Sequence, residues 1–447
     1  MNRRILGLAL PNIITNITVP LLGMVDMAIV GHLSSQHIGA ITIGTSIFNL
    51  IYWNFGFLRM GTSGFTAQAY GAGRWDEAVG TLVRACTLAL GIAVLLIALQ
   101  WPISLLVPII FKGSDEVMRL ALTYFFIRIW AAPATLGLYA IKGWFIGMQD
   151  SRTPMWIAIF LNCINIAASL LFVLVLKWDI AGVALGTVLA NYSGLALGIV
   201  MLRKKLVHVK RALPPDTVLT TAGALHWNEM RRFFKVNGDI FLRTVCLSAV
   251  FTFITAASGR IGDQVLAIDA LLLQFFTLFS YIMDGFAYAG ESLVGRYIGA
   301  RDGRNLRLAV HLLLVWGLAL TVLFTAIYAV FSRQILHIFT SDADLIAATI
   351  GYIGWVLAVP ICGFAAFLFD GIFIGATASR TMRNAMFVAT AAFFAVYFGL
   401  KAIAISHDAL SVNLWNNILW SAFMVFLILR GILQWVRTKK DIYSQTL

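Results

Sequence analysis

Long apolar runs separated by short polar segments dominate the chain from end to end. Twelve of these runs exceed the roughly 20 residues that a helix needs to cross the hydrocarbon core of a bilayer. They lie at 6–31, 38–66, 78–103, 118–146, 153–176, 180–202, 234–258, 264–295, 306–332, 346–376, 384–405 and 411–436. The pattern predicts an all-α polytopic membrane protein with twelve transmembrane helices.

The composition supports a membrane location for these helices. Hydrophobic residues make up 60% of the 447-residue chain and charged residues only 12%, about half the charged fraction of a typical soluble domain. A soluble fold of this length could not bury that much apolar surface, whereas lipid is a suitable solvent for it.

The net charge of +13 is distributed unevenly along the chain. If Met1 lies in the cytoplasm, 22 of the 33 Lys and Arg residues fall in cytoplasmic loops and tails, Arg430 among them, and five fall in the opposite loops. This asymmetry follows the positive-inside rule, so we expect both termini to be cytoplasmic. The basic charge orients the protein in its membrane and does not indicate a nucleic-acid partner.

A repeated motif divides the chain into two similar halves. The sequence GWFIGMQDSRTPM begins at Gly143, and GIFIGATASRTMR begins at Gly371, 228 residues later (371 − 143). The same offset pairs Gly31 with Gly259, Gln36 with Gln264, and Gly71-Ala72 with Gly299-Ala300. Because six crossings return the chain to its starting side, the halves are expected to form two six-helix parallel repeats with a central cleft, an arrangement typical of transporters.

The repeat also sets the predicted domain boundaries. Residues 1–203 are expected to form the first six-helix lobe, and residues 233–447 the second. The polar segment 204–232 between them contains many Lys and Arg residues and the pair Pro214-Pro215. We interpret it as a cytoplasmic linker, either in contact with anionic lipid head groups or acting as a solvated tether.

Motifs of catalytic or nucleotide-binding domains are not found in the sequence. It contains no Walker A sequence, no glycine-rich nucleotide loop, no His/Cys metal cluster and no GxSxG elbow. Each of these motifs supplies a specific chemistry that the chain lacks. We therefore predict that the protein is not an enzyme, with no catalytic residues, metal or cofactor, and expect an ion gradient or another subunit to supply energy.

One carboxylate interrupts the first apolar run. Asp26 lies at membrane depth, where an ionised side chain costs at least about 2.5–3.5 kcal/mol, so it is expected to face a wet cavity or to carry a proton. Its repeat equivalent is Ile254, so the scaffold does not itself require a carboxylate at this position. We interpret Asp26 as an ion-coupling residue; a structural, hydrogen-bonded Asp is the alternative.

Two further polar residues of the first half have large apolar equivalents in the second. Asn165 corresponds to Phe393, and Thr187 corresponds to Trp415. The difference suggests a polar pocket in the first half only. Hydrogen bonding between helices is the other interpretation.

Two prolines lie in the same predicted helix as Asp26. Pro11 and Pro20 each remove a backbone donor and can bend a helix. The helix that carries Asp26 is therefore a candidate moving part, with Pro11 and Pro20 as hinges; a static kink is the alternative.

The second half carries carboxylates of its own at membrane depth. Asp239 and Arg243 are four residues apart, so we expect them to pair on one helical face. Asp269 and Asp284 are candidates for a secondary site that faces a cavity in the second lobe.

The landmarks of the chain, in their order and spacing, resemble those of the multidrug and toxic compound extrusion (MATE) transporters, and closely those of the bacterial DinF branch. They are LALPNIITNITVPLLGMVDMAIVGHL (8–33), FLRMGTSGFTAQAYGA (57–72), GWFIGMQDSRTP (143–154), AGVALGTVLANY (181–192), DGFAYAGE (284–291) and DGIFIGATASRTMRN (370–384). The resemblance covers nearly the whole chain.

The resemblance implies a V-shaped pair of six-helix lobes in the bacterial inner membrane. It implies export of drugs, organic cations or other amphiphiles against an inward flow of protons or sodium. Ion coupling would occur at Asp26, with Pro11 as the hinge of the first helix. Asn165 and Thr187 would belong to the family's polar network, and we place Ser169 and Asn162 with them as candidate residues of that network and of the substrate pocket.

One position on the fifth helix departs from the family pattern. Related proteins often carry Asn-x-x-x-Asp there, whereas this chain has Asn165-Ile-Ala-Ala-Ser169, with Asn162 one turn earlier. Ser169 cannot titrate and is a poor ligand for a hard cation, which prefers several oxygens with compensating charge. The departure favours protons over sodium as the coupling ion.

The sequence therefore predicts a monomeric, proton-coupled multidrug antiporter. A flippase for lipids or lipid-linked precursors would share the two-lobe architecture, but it would be favoured by a cleft lined with many Arg or Lys residues. An intramembrane enzyme would need a nucleophile–base pair or a metal constellation. A passive channel is a less suitable interpretation because a single titrating Asp in one lobe suits a carrier better.

Overall fold

The computed structural model describes residues 1–31, 35–111, 113–212, 223–407 and 411–446, and most side chains between Val19 and Ser35 lie outside this description. Within it, the chain is helical. The helices of the first half are α1 (Asn2–Gly31), α2 (Ser35–Asn54), α3 (Phe57–Gly71), α4 (Trp75–Ala98), α5 (Gln100–Ile110), α6 (Asp115–Arg128), α7 (Ala132–Gly147), α8 (Arg152–Leu170) and α9 (Asp179–Ala212). Those of the second are α10 (Trp227–Ile261), α11 (Asp263–Gly299), α12 (Gly303–Phe339), α13 (Ala343–Ile350), α14 (Ile353–Gly375), α15 (Ser379–Ser406) and α16 (Val412–Asp441).

Eleven helical stretches among the described residues are long and apolar enough to cross a membrane. They correspond one to one to the second through twelfth spans predicted from the sequence. Two of them combine shorter helices: Gln36–Gly71 includes α2 and α3, and Asp115–Gly147 includes α6 and α7. The first predicted span, 6–31, lies within α1, a helix of 30 residues. The prediction of an all-α polytopic membrane protein is confirmed.

The helices pack into two units. One consists of Met1–Ala9 and Gly238–Leu447, and the other of Leu10–Asn237. The divisions fall inside α1 and α10 rather than in the polar segment 204–232. At the described ends of that segment, α9 continues to Ala212 and α10 begins at Trp227. The lobe boundaries at 203 and 233 remain predictions.

In the unit Leu10–Asn237, the first copy of the GxFIG motif brings two helices into backbone contact. Gly143 and Gly147 on α7 lie against the backbone carbonyls of Arg59 and Ser63 on α3. A Cβ atom at Gly147 would lie only 2.7 Å from the Ser63 oxygen. Since glycine alone has no Cβ atom, the motif allows α7 to approach α3 this closely.

The second copy of the motif makes the same contact in the other unit. Gly371 and Gly375 on α14 lie against the backbone of Ala287 and Glu291 on α11. The contacted residues are again 228 positions apart (287 − 59 and 291 − 63), as the glycines are. The sequence repeat is therefore a repeat of a specific helix–helix contact.

The turns that end these helices repeat as well. Gln149 and Thr377, which are 228 residues apart, both have left-handed backbone angles, with φ of 60° and 52°. So do Gly73 and Arg301 at the ends of α3 and α11, with φ of 70° and 53°. In each case the following N–H closes back on the helix in the pattern of a Schellman turn.

Asp239 and Arg243 do not pair as the sequence predicts. Asp239 accepts hydrogen bonds from Ser379 Oγ at 2.8 Å and from Arg383 Nη1 at 2.6 Å, both on α15. Arg243 pairs with Asp370 on α14 instead. A spacing of four residues shows only that two side chains are close along one helix. Here both side chains bond instead to partners on neighbouring helices.

Asp370 is the centre of a buried ionic network in the second unit. Arg243 of α10 and Arg430 of α16 both bond to its Oδ2 atom, the latter at 2.7 Å, and Gln434 Nε2 donates to Oδ1 at 3.0 Å. The network ties α10, α14 and α16 together. Arg430 is only 2% exposed, so it is packed inside the helix bundle and is not part of a solvated tail.

We expect Gly147→Ala to destabilise the protein by about 1–3 kcal/mol, because the added methyl group overpacks the contact between α7 and α3. The measurement is thermal unfolding of the purified protein in detergent. Gly91→Ala is the matched control, since a Cβ atom added at Gly91 on α4 would meet no heavy atom within 4 Å and alanine favours helix. Equal stability of the two variants would contradict the close-contact interpretation.

We expect Asp370→Asn to lower the free energy of unfolding by about 3–5 kcal/mol, because it leaves Arg243 and Arg430 buried without their shared counter-ion. Unfolding by denaturant in mixed micelles measures the difference. Glu116→Gln is the control, because the Glu116–Arg119 pair at 2.6 Å is exposed on both sides and pairs of that kind contribute little. If Asp370→Asn lowers the free energy of unfolding no more than the control does, the network does not stabilise the second unit.

Candidate functional site

Close packing between α8 and α9 creates a buried polar region in the unit Leu10–Asn237. Gly186 on α9 lies against Ser169 on α8, where a Cβ atom would lie 2.7 Å from the Ser169 hydroxyl oxygen. Gly182, one turn earlier, packs in the same way on Phe172. The small residues bring the polar side chains of the two helices within hydrogen-bonding distance.

The polar side chains of this region form a connected cluster. Asn165 Nδ2 donates to Thr187 Oγ1 at 3.1 Å. Asn191 Nδ2 donates to the Thr187 carbonyl oxygen at 2.8 Å, and Thr135 Oγ1 on α7 donates to Asn191 Oδ1 at 3.1 Å. We call these four residues, together with Ser169, the polar cluster. The structure therefore brings Asn165, Thr187 and Ser169, all selected from the sequence, into one place.

Two atoms of the polar cluster have no hydrogen-bond partner among the described residues. They are Oδ1 of Asn165 and the hydroxyl oxygen of Ser169, and both side chains are fully buried. Buried polar atoms in proteins nearly always have partners, and leaving one without a partner costs free energy. The cluster can therefore accept and donate further hydrogen bonds.

Helix α1 lies beside α8 at two positions. Asn12 Nδ2 donates to Ser151 Oγ at 2.9 Å, and Asn162 Nδ2 donates to the Thr18 carbonyl oxygen at 3.2 Å. Asn162, also selected from the sequence, thus contacts the backbone of α1 and is not bonded to the polar cluster in the described structure.

The prolines and the carboxylate of α1 are only partly described. Pro11 is buried, and the α1 helix continues through it without a break. Asp26 and Pro20 belong to the same helix, but their side chains lie outside the described residues. Their predicted roles therefore remain predictions.

Thr135 and Asn191 are members of the polar cluster that the sequence reasoning missed. The repeat contains the signal that could have found them. At the 228-residue offset, Thr135 corresponds to Gly363 and Asn191 to Leu419, so both differ in polarity between the halves, as Asn165 and Thr187 do.

The second unit has an aromatic contact where the first has the polar cluster. The repeat equivalents of Asn165, Ser169 and Thr187 are, in order, Phe393, Tyr397 and Trp415. Trp415 Nε1 donates to the Tyr397 hydroxyl at 2.8 Å, and Phe393 packs edge-on against Phe253 with ring centres 5.7 Å apart. The two halves share a scaffold and differ in chemistry at these positions.

The two carboxylates predicted for a second-lobe site lie apart on α11. Asp269 is 1% exposed and is bonded to Ser258, Asn416 and Trp420. Asp284 lies fifteen residues further along the helix, about 22 Å away, and interacts electrostatically with Arg430. The structure therefore does not bring these two carboxylates together.

An apolar groove of about 440 Å³ lies on the second unit between α12, α14 and α16. Leu318, Ile361, Phe369, Ile432 and Trp435 are among its lining residues, and none of the predicted site residues contributes to it. Such a lining suits lipid acyl chains better than a charged solute. Among the residues that the structure describes, no group of three or more His, Cys, Asp or Glu side chains is placed to hold a metal ion.

A model of the MatE family matches the chain twice, over residues 11–171 and 240–400. The two matches are offset by 229 residues at both ends (240 − 11 and 400 − 171), within one residue of the repeat found in the sequence. Each match thus covers one half of the duplicated chain.

The chain is similar to named proteins and to a solved structure over most of its length. It is 37% identical over 433 residues to DNA damage-inducible protein F of Escherichia coli (strain K12), covering 95% of this chain and 89% of that protein. It is 25% identical over 384 residues to Protein DETOXIFICATION 44, chloroplastic, of Arabidopsis thaliana, covering 83% and 71%. Its fold matches that of a multidrug resistance MATE family transporter of the MOP superfamily in an outward-facing conformation, with a TM-score of 0.80, 19% identity and coverage of 99% and 96%.

The family model matches more than half of the chain, and the E. coli relative aligns with nearly all of it. The chain therefore belongs to the MatE family, whose members are membrane transporters rather than enzymes.

Proposed function

We propose that this protein is a secondary active antiporter that exports organic cations and other amphiphilic drugs in exchange for protons, with Asp26 as the coupling residue. It would act as a monomer in the bacterial inner membrane with both termini in the cytoplasm. Membership of a transporter family supports the transport function. The hydrogen bond between Asn162 and Thr18 carries the assignment of the site.

That hydrogen bond brings α1 and α8 together at the level of Thr18 and Asn162. Asp26 lies eight residues beyond Thr18, about 12 Å further along α1, and Ser169 lies seven residues beyond Asn162, about 10.5 Å further along α8. Equal rises of the two helices beyond this contact would bring the backbone of Asp26 near the level of Ser169, with Asn165 one turn earlier. This supports Asp26 as a further partner of the polar cluster.

The polar cluster suits a group that changes its protonation state. A neutral carboxylic acid has one O–H to donate, and Asn165 Oδ1 has no described donor. An ionised carboxylate only accepts, and the Ser169 hydroxyl can donate to it. Both states of Asp26 would therefore find a partner, as coupling to proton binding requires.

The same donor set favours protons over sodium. Sodium is a hard cation and prefers several oxygen ligands with compensating negative charge. Ser169 and Asn165 supply neutral oxygens, so Asp26 would be the single charged ligand of the site.

The packing of α1 supports Pro11 as the hinge. Met1–Ala9 packs with the second half of the chain, whereas the helix from Leu10 onward packs with the first. In the first segment, Arg4 Nη1 donates to the Tyr297 hydroxyl at 3.3 Å. Pro11 lies two residues after Ala9, where its missing N–H weakens the helix. A bend at Pro11 would therefore move the Asp26 segment without releasing the anchored N-terminus.

The proposed cycle follows from these positions. Asp26 takes up a proton from outside, α1 bends about Pro11, the substrate is released outward, and the proton is then released inside. Each charge gains about 2.3 kcal/mol per 100 mV of membrane potential. Protons and substrate must favour different conformations, since otherwise neither would shift the binding of the other.

The surroundings of Arg128, Arg243 and Arg430 do not favour a flippase for anionic lipid precursors. Arg243 and Arg430 are bonded to Asp370 inside the second unit. Arg128 donates to the Tyr124 hydroxyl at 2.6 Å and lies 4.8 Å from the ring centre of Phe48. These deep basic groups are engaged within their own units.

We expect Asp26→Asn to abolish export driven by a pH gradient, because the amide cannot bind and release a proton. Uptake of a fluorescent organic cation into energised inverted membrane vesicles measures this. Asp115→Asn is the matched control, since Asp115 is exposed in the first turn of α6 and should leave export unchanged. Export by Asp26→Asn at the wild-type rate would exclude the coupling role.

The same vesicles separate the two candidate ions. With a pH gradient and no sodium, the wild type should accumulate the cation; with a sodium gradient at equal pH on both sides, it should not. Strict dependence on sodium would contradict the proton assignment while leaving the role of Asp26 intact.

A further inference from the structure

The carboxyl group of Asp269 in the second unit is bonded to three neutral polar side chains. Asp269 on α11 is 1% exposed. Its Oδ1 atom accepts hydrogen bonds from Asn416 Nδ2 at 3.0 Å and from Trp420 Nε1 at 2.8 Å, both on α16. Its Oδ2 atom contacts the Ser258 hydroxyl on α10. The two oxygens thus have different surroundings: one faces two N–H donors and the other a hydroxyl group.

The Ser258 hydroxyl has one hydrogen and two acceptors within reach. These are Oδ2 of Asp269 and the carbonyl oxygen of Ile254, which lies 2.9 Å from the hydroxyl oxygen. If Asp269 is ionised, Ser258 can donate to only one of them. If Asp269 carries a proton on Oδ2, it donates to Ser258, and Ser258 donates to Ile254. Oδ1 then keeps both N–H donors, so the neutral acid gives a partner to both oxygens of Asp269, to the Ser258 hydroxyl and to the Ile254 carbonyl.

No basic side chain offsets a charge on Asp269 among the described residues that bond to it. The contacts from α10 and α16 are a hydroxyl, an amide and an indole. Tyr352, between α13 and α14, is a titratable group that interacts with Asp269 electrostatically.

Three further titratable groups near these helices have other surroundings. Arg260, two residues after Ser258, lies beside Tyr397 and Lys401 of α15. On α12, the Tyr328 hydroxyl donates to the Phe275 carbonyl oxygen at 2.8 Å, and Asp344 on α13 is exposed. An ionised carboxylate in this apolar setting is unfavourable without a counter-charge, which again favours the neutral acid.

The repeat gives an independent reason to assign a function to this carboxylate. The equivalent of Asp269 in the first half is Ile41, which is buried, so the scaffold does not need a carboxylate at this position. Ser258 is bonded to Ile254, the second-half equivalent of Asp26. The Asp269 cluster thus lies one helical turn from the position that Asp26 occupies in the first half.

We propose that Asp269 is a proton-binding site of the second unit, carrying its proton on Oδ2 and donating it to Ser258. Loss of the proton forces the Ser258 hydroxyl to turn from Ile254 to Asp269, so the protonation state changes the hydrogen bonding between α10 and α11. The inference concerns a residue other than Asp26 and does not depend on the proposed antiport cycle.

Infrared spectroscopy of the purified full-length protein in lipid at neutral pH tests this proposal. The wild type minus Asp269→Asn difference should show loss of one carboxylic acid C=O band, and Asp26→Asn should retain that band. Asp302→Asn is the control: a hydrogen bond from the Asn305 side chain lowers the pKa of Asp302, which lies between α11 and α12. That residue is therefore ionised and should contribute no such band.

A second variant keeps the test informative if Asp269→Asn does not fold. Trp420→Phe removes one donor to the carbonyl oxygen, so the Asp269 band should remain and move to higher frequency. Loss of a carboxylate band in place of a C=O band in Asp269→Asn, or no shift in Trp420→Phe, would overturn the proposal. Because no substrate or gradient is used, this outcome is separate from failure of the antiport function.

Discussion

Backbone contact through the glycines of the GxFIG motif is the constraint on which both units depend. Helices in lipid gain little hydrophobic free energy by associating, so close packing has to hold them together. Gly143 and Gly147 give α7 this contact with α3, and Gly371 and Gly375 give it to α14 with α11. The 228-residue repeat preserves both the glycines and the backbone positions that they touch.

The polar cluster and the ionic network each include a helix that these contacts hold in place. Asp370 immediately precedes Gly371, so the α14–α11 contact places it where Arg243 and Arg430 can reach it. On α7, Thr135 lies two turns before Gly143 and reaches Asn191 of α9. The same scaffold therefore supports an ionic network in the second unit and a polar cluster in the first. The two repeats share the glycines of the packing contacts and differ in the polar side chains near them.

Much of the fold could be predicted from the sequence because lipid imposes a simple rule. A helix that crosses the membrane must be long and apolar, so hydropathy alone located the eleven spans that the described residues contain. The repeat offset could also be found in the sequence. Positions at which the two halves differ identified Asn165 and Thr187, whose Nδ2 and Oγ1 atoms lie 3.1 Å apart. For the spans, the hydropathy pattern and the folded structure both follow from the need for long apolar helices in lipid.

The errors arose where partners are far apart in the sequence. Asp239 and Arg243 have the spacing of an ion pair within one helix, but Arg383 and Asp370, more than 100 residues away, take them instead. Arg430 looked like part of a basic tail because its burial depends on neighbouring helices. No single-helix rule contains that information, since it depends on how the helices are rotated against one another.

Proton release on substrate binding tests the central claim, that one carboxylate of the first unit exchanges a proton for a cationic substrate. Calorimetric titration of the purified protein with ethidium, in buffers of different ionisation enthalpy, measures the number of protons released per ethidium bound. The account predicts proton release by the wild type at a pH where Asp26 is protonated, and the loss of that release in Asp26→Asn. Ethidium binding without proton release in the wild type, or equal release in both proteins, would contradict it.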